Sequence, residues 1–190
     1  MIGSHNTFSY LPIKNKWRKI FKPWYKCQDK TIFQQIANGA RFFDIRVKFD
    51  KKGLLNIVHN KVVFDINEFQ FWRLMVDVKN LAKELNTKLY FRVILDIRKE
   101  PKDKDHQLKS FNSFINHFNE FDERICLDHS ITYWDWKYYS NSQFNIIEDH
   151  ASVKAKWYEY ILGTKYYAAK VGYKYINEHS SKNIYLLDFI

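Results

Sequence analysis

The stretch Gly39–His59, GARFFDIRVKFDKKGLLNIVH, decides how this chain is read. Its pattern predicts two short strands joined by a glycine-containing turn at Asp50–Gly53. On the first strand, alternation sends Phe43, Ile45, Val47 and Phe49 to one face and Asp44, Arg46 and Lys48 to the other. A carboxylate and a guanidinium two residues apart inside an apolar strand are costly to bury unless they meet each other or a ligand. The second strand, Leu54–Val58, delivers His59 at its C-terminal end. The cluster is a site candidate, and a structural Asp–Arg pair beside a surface histidine is its plain alternative.

Working outward, Met1–His5 reads as a very short opening strand followed by Asn6, Thr7 and Phe8. Asp29–Asn38 is a helix candidate, with Asp29 as N-cap and Gly39 as its stop. Asp65–Asn86 shows helical spacing through Phe69, Trp72, Met75, Val76, Leu81 and Leu85. Leu89–Arg98, LYFRVILDIR, is a strand by its β-branched content, and its Asp96 and Arg98 share one face. Asp103–Phe121 is a second amphipathic helix with Pro101 just ahead. Weak strands at Arg124–Leu127 and Phe144–Glu148 flank a loop rich in Trp and Tyr. Ser152–His179 is mostly helical in pattern, with Gly163 and Gly172 as interruptions, and Asn183–Ile190 closes the chain as a strand containing Asp188.

Strand–helix alternation of this kind predicts an α/β fold with parallel strands. The chain has 190 residues, 46% of them hydrophobic, which suits one domain with a real core. Its formal charge of +10 implies an anionic partner, either nucleic acid or an acidic membrane surface. Two cysteines, Cys27 and Cys126, make no disulfide framework and are expected to be reduced. No apolar run approaches the length needed to span a bilayer, and the first residues do not read as a signal peptide. Residence in the cytoplasm, or release without a classical signal, is therefore expected. Lys14–Lys26, KNKWRKIFKPWYK, alternates cations with Trp17, Ile20, Phe21, Trp24 and Tyr25. A solvated basic face would look like this, and so would a membrane-surface segment, because aromatic bodies with basic flanks suit an interface. No nucleic-acid motif accompanies it, so nucleic acid is not the expected partner.

Polar residues recur where the predicted strands end: His5, Arg46, His59, Arg98 and Asp188. In a barrel of parallel strands that rim carries the active site, and this convergence favours catalysis over scattered structural pairs.

These residues lie in runs that resemble a known family. GSHNTF at Gly3–Phe8, WYKCQDKTIFQQIANGARFFDIRV at Trp24–Val47, VHN at Val58, VILDIRKE at Val93 and the terminal LLDFI are similar to the X domain of phosphatidylinositol-specific phospholipase C, with the bacterial enzymes nearest. The resemblance extends, with gaps, over most of the chain. It implies a compact, distorted and incomplete TIM barrel spanning residues 1–190 as a single domain. It also implies cleavage of phosphatidylinositol to diacylglycerol and a cyclic inositol phosphate, with the inositol 2-hydroxyl as nucleophile.

Position by position, the resemblance makes His5 the general base, Asp188 the carboxylate that orients it, and His59 the general acid. Arg46 becomes the cation that stabilises phosphoryl charge, with Asp44 as its neighbour. Asn6, Arg98 and Asp149 are placed among the substrate contacts. Trp17, Trp24, Lys16, Arg18 and Lys19 directly follow the His5 strand, so in a barrel they belong to a loop on the active-site rim and are the expected membrane-facing segment. The chemistry of these residue types agrees: imidazoles suit proton transfer near neutrality, and a planar guanidinium can take two phosphate oxygens. A calcium-binding branch of the family uses an Asn after the first histidine and later carboxylates. Asn6 fits that pattern and Asp44 could, but the later positions fall here on Arg46 and Arg98, so no metal or other cofactor is expected. The bacterial members carry Asp where this chain has Asn6. The expected partners are phosphatidylinositol or a related phospholipid and an anionic membrane surface, with the chain a monomer. Two alternatives stay open. One is a glycerophosphodiesterase or sphingomyelinase-type lyase; the other is a lipid- or inositol-phosphate-binding module without catalysis.

Overall fold

A computed structural model describes residues 1–15, 17, 25–59, 61–96, 103–132, 138–140, 145–148 and 183–187. The strand Phe42–Phe49 (β2) is its centre and is covered on both faces. Phe43, Ile45, Val47 and Phe49 enter the main core, against Ile32 and Ile36, Phe71, Met75 and Val78, and Phe111, Phe114 and Phe118. The alternation read from the sequence thus holds, and it sends Asp44 and Arg46 to the face away from that core.

Among the described residues, three α-helices supply the outer layer. The first, α1 (Ile32–Ala37), is capped by Thr31, which exchanges hydrogen bonds with Gln34 in a capping box. Asp29, the predicted cap, instead pairs with Lys26. Thr31 wins because Gln34 stands three residues on to reciprocate. Helix α2 (Glu68–Glu84) begins the same way, with Asn67 and Gln70 forming the box, so it starts three residues later than the apolar spacing suggested. Helix α3 (Lys104–Asn119) follows Asp103 as predicted. Gly39 ends the α1 turn at φ +95°, a conformation that favours glycine.

Around β2 the described strands make one nine-stranded sheet. On one side β2 pairs in parallel with β5 (Leu89–Asp96), and β5 with β6 (Ile125–Thr132). On the other side the N-terminal half of β2 pairs with β1 (Ile2–Ser4), β1 with β9 (Asn183–Leu187), and β9 with β8 (Asn145–Glu148), all in parallel. Antiparallel pieces complete it: β3 (Leu55–His59) on the C-terminal half of β2, β4 (Val62–Val63) on β3, and β7 (Tyr138–Ser140) on β6. Strands β4 and β7 were not foreseen. The α/β class and the parallel core agree with the sequence, but closure into a barrel does not appear: among the described residues β7 and β8 end the sheet and do not pair. The expected helical region Ser152–His179 lies outside the described residues.

The face of β2 opposite the helices is built in layers. Its floor is apolar, with Phe42, Ile184 and Leu186 buried together and Tyr90 packed against them. Gly3 makes this floor possible, since a Cβ there would stand 2.7 Å from Leu186 Cδ2 and 3.3 Å from Phe42 Cβ. One step further along the strands, Asp44 and Arg92 are direct partners in the β2–β5 register. The candidate site stands on this second layer.

Candidate active site

His5 leaves the end of β1 with both backbone groups fixed. Its N–H donates to the Leu187 carbonyl at 3.1 Å, and its carbonyl accepts from Gln28 Nε2 at 3.1 Å. The same Gln28 amide donates to the Leu187 carbonyl at 2.8 Å, tying β1, β9 and the CQ pair together. Ser9 Oγ accepts from the backbone N–H groups of Cys27 and Gln28, and Ser4 Oγ donates to Gln35 Oε1 at 2.6 Å. The GSHNTF and CQ runs are therefore two halves of one buried hydrogen-bonded network. Asn6 takes a left-handed conformation, φ 45° and ψ 55°, which Asn tolerates better than most residues.

Asp44 is fully buried at the centre of the charges. Its Oδ1 accepts from Arg92 Nε at 3.0 Å. Its Oδ2 accepts from the Asn6 backbone N–H at 3.3 Å and lies 3.6 Å from Arg46 Nε and 3.9 Å from His5 Nε2. Burial alone would raise its ionisation range. The charges of Arg92, Arg46 and His5, with the Arg92 hydrogen bond, outweigh it and hold the carboxyl well below the usual carboxylate range. Arg46 carries that order forward: its Nη2 is 3.1 Å from His5 Nε2.

His59 arrives by a different route. The turn at Asp50–Gly53 closes with Gly53 N–H on the Asp50 carbonyl at 2.9 Å and Gly53 at φ +79°. Strand β3 then runs back against β2, so His59 ends an antiparallel strand, not a parallel one as the rim argument assumed. The hairpin still folds its ring onto the site. The His5 and His59 ring centroids are 6.3 Å apart at 77°. His59 Nδ1 lies 3.0 Å from the Tyr25 carbonyl oxygen, and its ring meets the Tyr25 ring edge-on at 5.8 Å. Between the imidazoles sits the Asn6 amide, with Nδ2 3.0 Å from His5 Nε2 and 3.4 Å from His59 Nε2.

No protein-family model matches the sequence, and no curated protein matches it. Solved structures do. Phosphatidylinositol-specific phospholipase C from Listeria monocytogenes superposes with a TM-score of 0.62 at 15% identity, over 100% of this chain and 87% of that one. A mutant of the Staphylococcus aureus enzyme gives 0.54 at 15% identity over 98% and 70%. A further structure of the Staphylococcus aureus enzyme, one concerned with modulation of its membrane binding, gives 0.55 at 16% identity over 97% and 70%. The fold is that of bacterial phosphatidylinositol-specific phospholipase C.

Within this phospholipase fold, His5, Asn6, Asp44, Arg46 and His59 come together, all buried. Trp17 is 88% exposed. Asp188, Arg98, Asp149, Trp24, Lys16, Arg18 and Lys19 lie outside the described residues. Sequence reasoning missed Arg92, the cation nearest Asp44, although the alternation that paired Asp96 with Arg98 also puts Arg92 on their face. It missed the Tyr25 carbonyl, a backbone group that leaves no trace in side-chain patterns. It also gave no role to Gln28.

Calcium does not suit this set of groups. A divalent ion of that kind takes six to eight oxygens, whereas both oxygens of Asp44 already face guanidinium or amide donors. Among the described residues, no three His, Cys, Asp or Glu side chains gather as a metal cage.

Proposed function

We propose that this chain is a phospholipase C-type phosphodiesterase that cleaves phosphatidylinositol or a close relative to diacylglycerol and a cyclic inositol phosphate. The observation that carries the reading is the convergence of two imidazoles and a guanidinium. Arg46 Nη2 stands 3.1 Å from His5 Nε2, and the His59 ring lies across from His5 at 6.3 Å. One site thereby offers a base, a phosphoryl-charge stabiliser and a second proton carrier.

In the reaction, His5 Nε2 takes the proton of the inositol 2-hydroxyl as that oxygen attacks phosphorus. Arg46 shifts its donors from His5 to the phosphoryl oxygens, where negative charge develops. Asp44, backed by Arg92, holds the guanidinium in place. As the bond from phosphorus to the glycerol oxygen breaks, protonated His59 gives that oxygen its proton. The cyclic phosphodiester and diacylglycerol leave with the proton count balanced. Asp188 follows Leu187, whose carbonyl takes the His5 N–H, and is proposed as the carboxylate that orients His5. Arg98 and Asp149 are proposed contacts to the inositol hydroxyls. Arg46 does the electrostatic work, so the chemistry is proposed to need no metal. The protein is proposed to act as a monomer at an anionic membrane surface, reached through Trp17, Trp24, Lys16, Arg18 and Lys19, with no nucleic-acid partner. No described helix is long and apolar enough to cross a membrane.

Phosphorus NMR of phosphatidylinositol micelles mixed with the protein tests the reading. A cyclic inositol phosphodiester signal is expected as the first product. A non-cyclic phosphomonoester alone, or no turnover with the lipid bound, would overturn it.

A further inference from the structure

The tip of the β2–β3 hairpin stands against two helices, and three side chains fasten it there. Gln107 of α3 takes both backbone groups of Phe49: its Oε1 accepts from the Phe49 N–H at 2.9 Å, and its Nε2 donates to the Phe49 carbonyl at 2.6 Å. His106 Nε2 donates to the Asp50 carbonyl, which can only accept, at 2.9 Å. Glu68 of α2 accepts from the Leu55 N–H through Oε2 at 3.1 Å. None of these bonds involves a residue of the candidate active site. Between the tip and the two helices lies a cavity of about 690 Å³, a size that suits a small ligand or a head group. Gly53 lets the tip come this close, since a Cβ there would stand 3.3 Å from Ser110 Oγ on α3.

One wall of the cavity is aromatic, with the Trp72 and Phe49 rings 5.4 and 6.1 Å from that of Phe114. Lys52, Lys109, Ser110 and Ser113 also line it, and two ammonium groups with two hydroxyls suit a phosphate. The nearby carboxylates are Glu68, which accepts from Leu55, and Asp50. Asp50 Oδ1 accepts from the Lys52 and Leu54 N–H groups at 2.8 and 3.0 Å, and its charge reaches Lys52 and His106. Lys109 comes from the other wall, on α3. A soluble phosphate would account for the cavity alone. Beside its lining, however, Leu54 follows Gly53 and Phe69 follows Glu68, and these two apolar residues are 51% and 76% exposed. The Leu55–Glu68 hydrogen bond holds their segments together. The tip extends β2 past its last pair with β5, Val47–Leu95, at the end of the parallel strands where His5 follows β1. Resting on the membrane-surface reading proposed above, we infer that this cavity is a second lipid site, apart from the catalytic cluster, that takes the phosphate of an anionic phospholipid while Leu54 and Phe69 enter the bilayer beside it. The formal charge of +10 favours such a lipid over a zwitterionic one.

Short-chain phosphatidylglycerol, kept below its micelle concentration and titrated onto the full chain, tests the site by NMR. The probes are the Trp72 indole N–H, assigned with Trp72→Phe, and the His117 ring, assigned with His117→Gln, whose centroid stands 4.5 Å from that of Trp72. Both signals are expected to shift. Roughly tenfold more inorganic phosphate should be needed for the same shift, because it lacks the apolar part that the aromatic wall covers. Lys109→Gln should weaken the response about fivefold, the scale of one lysine at an anionic surface. On vesicles containing phosphatidylglycerol, Lys109→Gln and Phe69→Ser should each sediment less than the wild type, Phe69→Ser at high salt as well. Both residues are exposed, so their melting temperatures should match the wild type. Inorganic phosphate that binds as well as the lipid, or Trp72 and His117 signals that ignore the lipid, overturns the inference. So does a dimer that Phe69→Ser takes apart in light scattering. Normal turnover and vesicle binding by both variants would sink this site and leave the proposed function standing. If the wild type neither sediments with vesicles nor turns over phosphatidylinositol, the proposed function falls, and the Trp72 titration still decides whether the cavity takes lipid.

Discussion

At the scale of single residues, Asp44 carries the most weight, since one buried carboxylate organises Arg92, Arg46, the Asn6 backbone and His5. Removing one partner of a buried ion pair leaves charge uncompensated, at about 3 kcal/mol or more. Arg92→Met should therefore lower the unfolding free energy by about 3 kcal/mol in urea titration, and Arg92→Lys by less. Because ionised Asp44 favours the fold, its contribution is complete above the ordinary carboxylate range and fades only in strong acid. The opposite sign applies to Tyr10, whose hydroxyl is pushed up to about 12 by burial, with a backbone hydrogen bond at Ile32 pulling the other way. Its stabilising effect is full below pH 10.0 and is lost between there and about 12, so Tyr10→Phe should flatten the alkaline fall in melting temperature. In catalysis, His5→Ala and His59→Ala should each cost roughly 10²-fold or more in rate. A substrate with a good leaving group should rescue only His59→Ala, and equal rescue of both would refute the separate roles. Much of this cluster was legible: Asp44 and Arg46 announced themselves as charges on an apolar strand. Arg92 did not, because a lone arginine in a strand reads as a solvated edge until the register of the neighbouring strand is known.

At the scale of elements, legibility followed the length of the repeating pattern. Strands β2 and β5 and helices α2 and α3 carry enough residues for their period to show. Strands β4 and β7 span two and three residues, too few for alternation to register, and they exist only because β3 and β6 offer open edges. Helix starts differ because Asp29 mimics the first cap and the apolar rhythm outruns the second: Thr31 and Asn67 set the real boundaries through Gln34 and Gln70. Loss of either cap by Thr31→Ala or Asn67→Ala should cost about 1 kcal/mol of stability. Gly3 makes a sharper test of how the sheet positions the chemistry. The added methyl of Gly3→Ala would meet Leu186, Ile184 and Phe42, at 2.7, 3.1 and 3.3 Å. Leu186 can shift its terminal carbon, whereas the Phe42 Cβ is fixed to the strand, so overpacking of about 1–3 kcal/mol is expected. His5 lies only two residues on, so kcat should fall together with the melting temperature. A variant that melts early but turns over normally would show that the floor does not set the position of His5.

At the scale of the whole molecule, the formal charge of +10 and the exposed Trp17 bear on how a buried site would meet the proposed lipid substrate. In the proposed reaction the phosphodiester would lie at a bilayer surface while His5, Arg46 and His59 are buried, so the mouth of the site would have to be pressed against the head groups. Charge and apolar insertion can both supply that pressure, and salt separates them. Lysine or arginine near an anionic surface contributes about 1 kcal/mol each and is screened within a Debye length of about 10 Å at 0.1 M salt. An indole that enters the interface adds an apolar contribution that salt does not screen. Trp17 is 88% exposed, so its replacement removes no core packing. Trp17→Ala should therefore weaken sedimentation with anionic vesicles at both low and high salt. Its melting temperature and its cleavage of a soluble inositol phosphodiester should match the wild type. Charge reversal at Lys16, Arg18 and Lys19 should weaken vesicle binding chiefly at low salt. A Trp17→Ala variant that partitions normally onto vesicles would remove Trp17 from the membrane contact. Early melting with lost soluble activity would instead give the indole a structural role that its exposure does not lead us to expect.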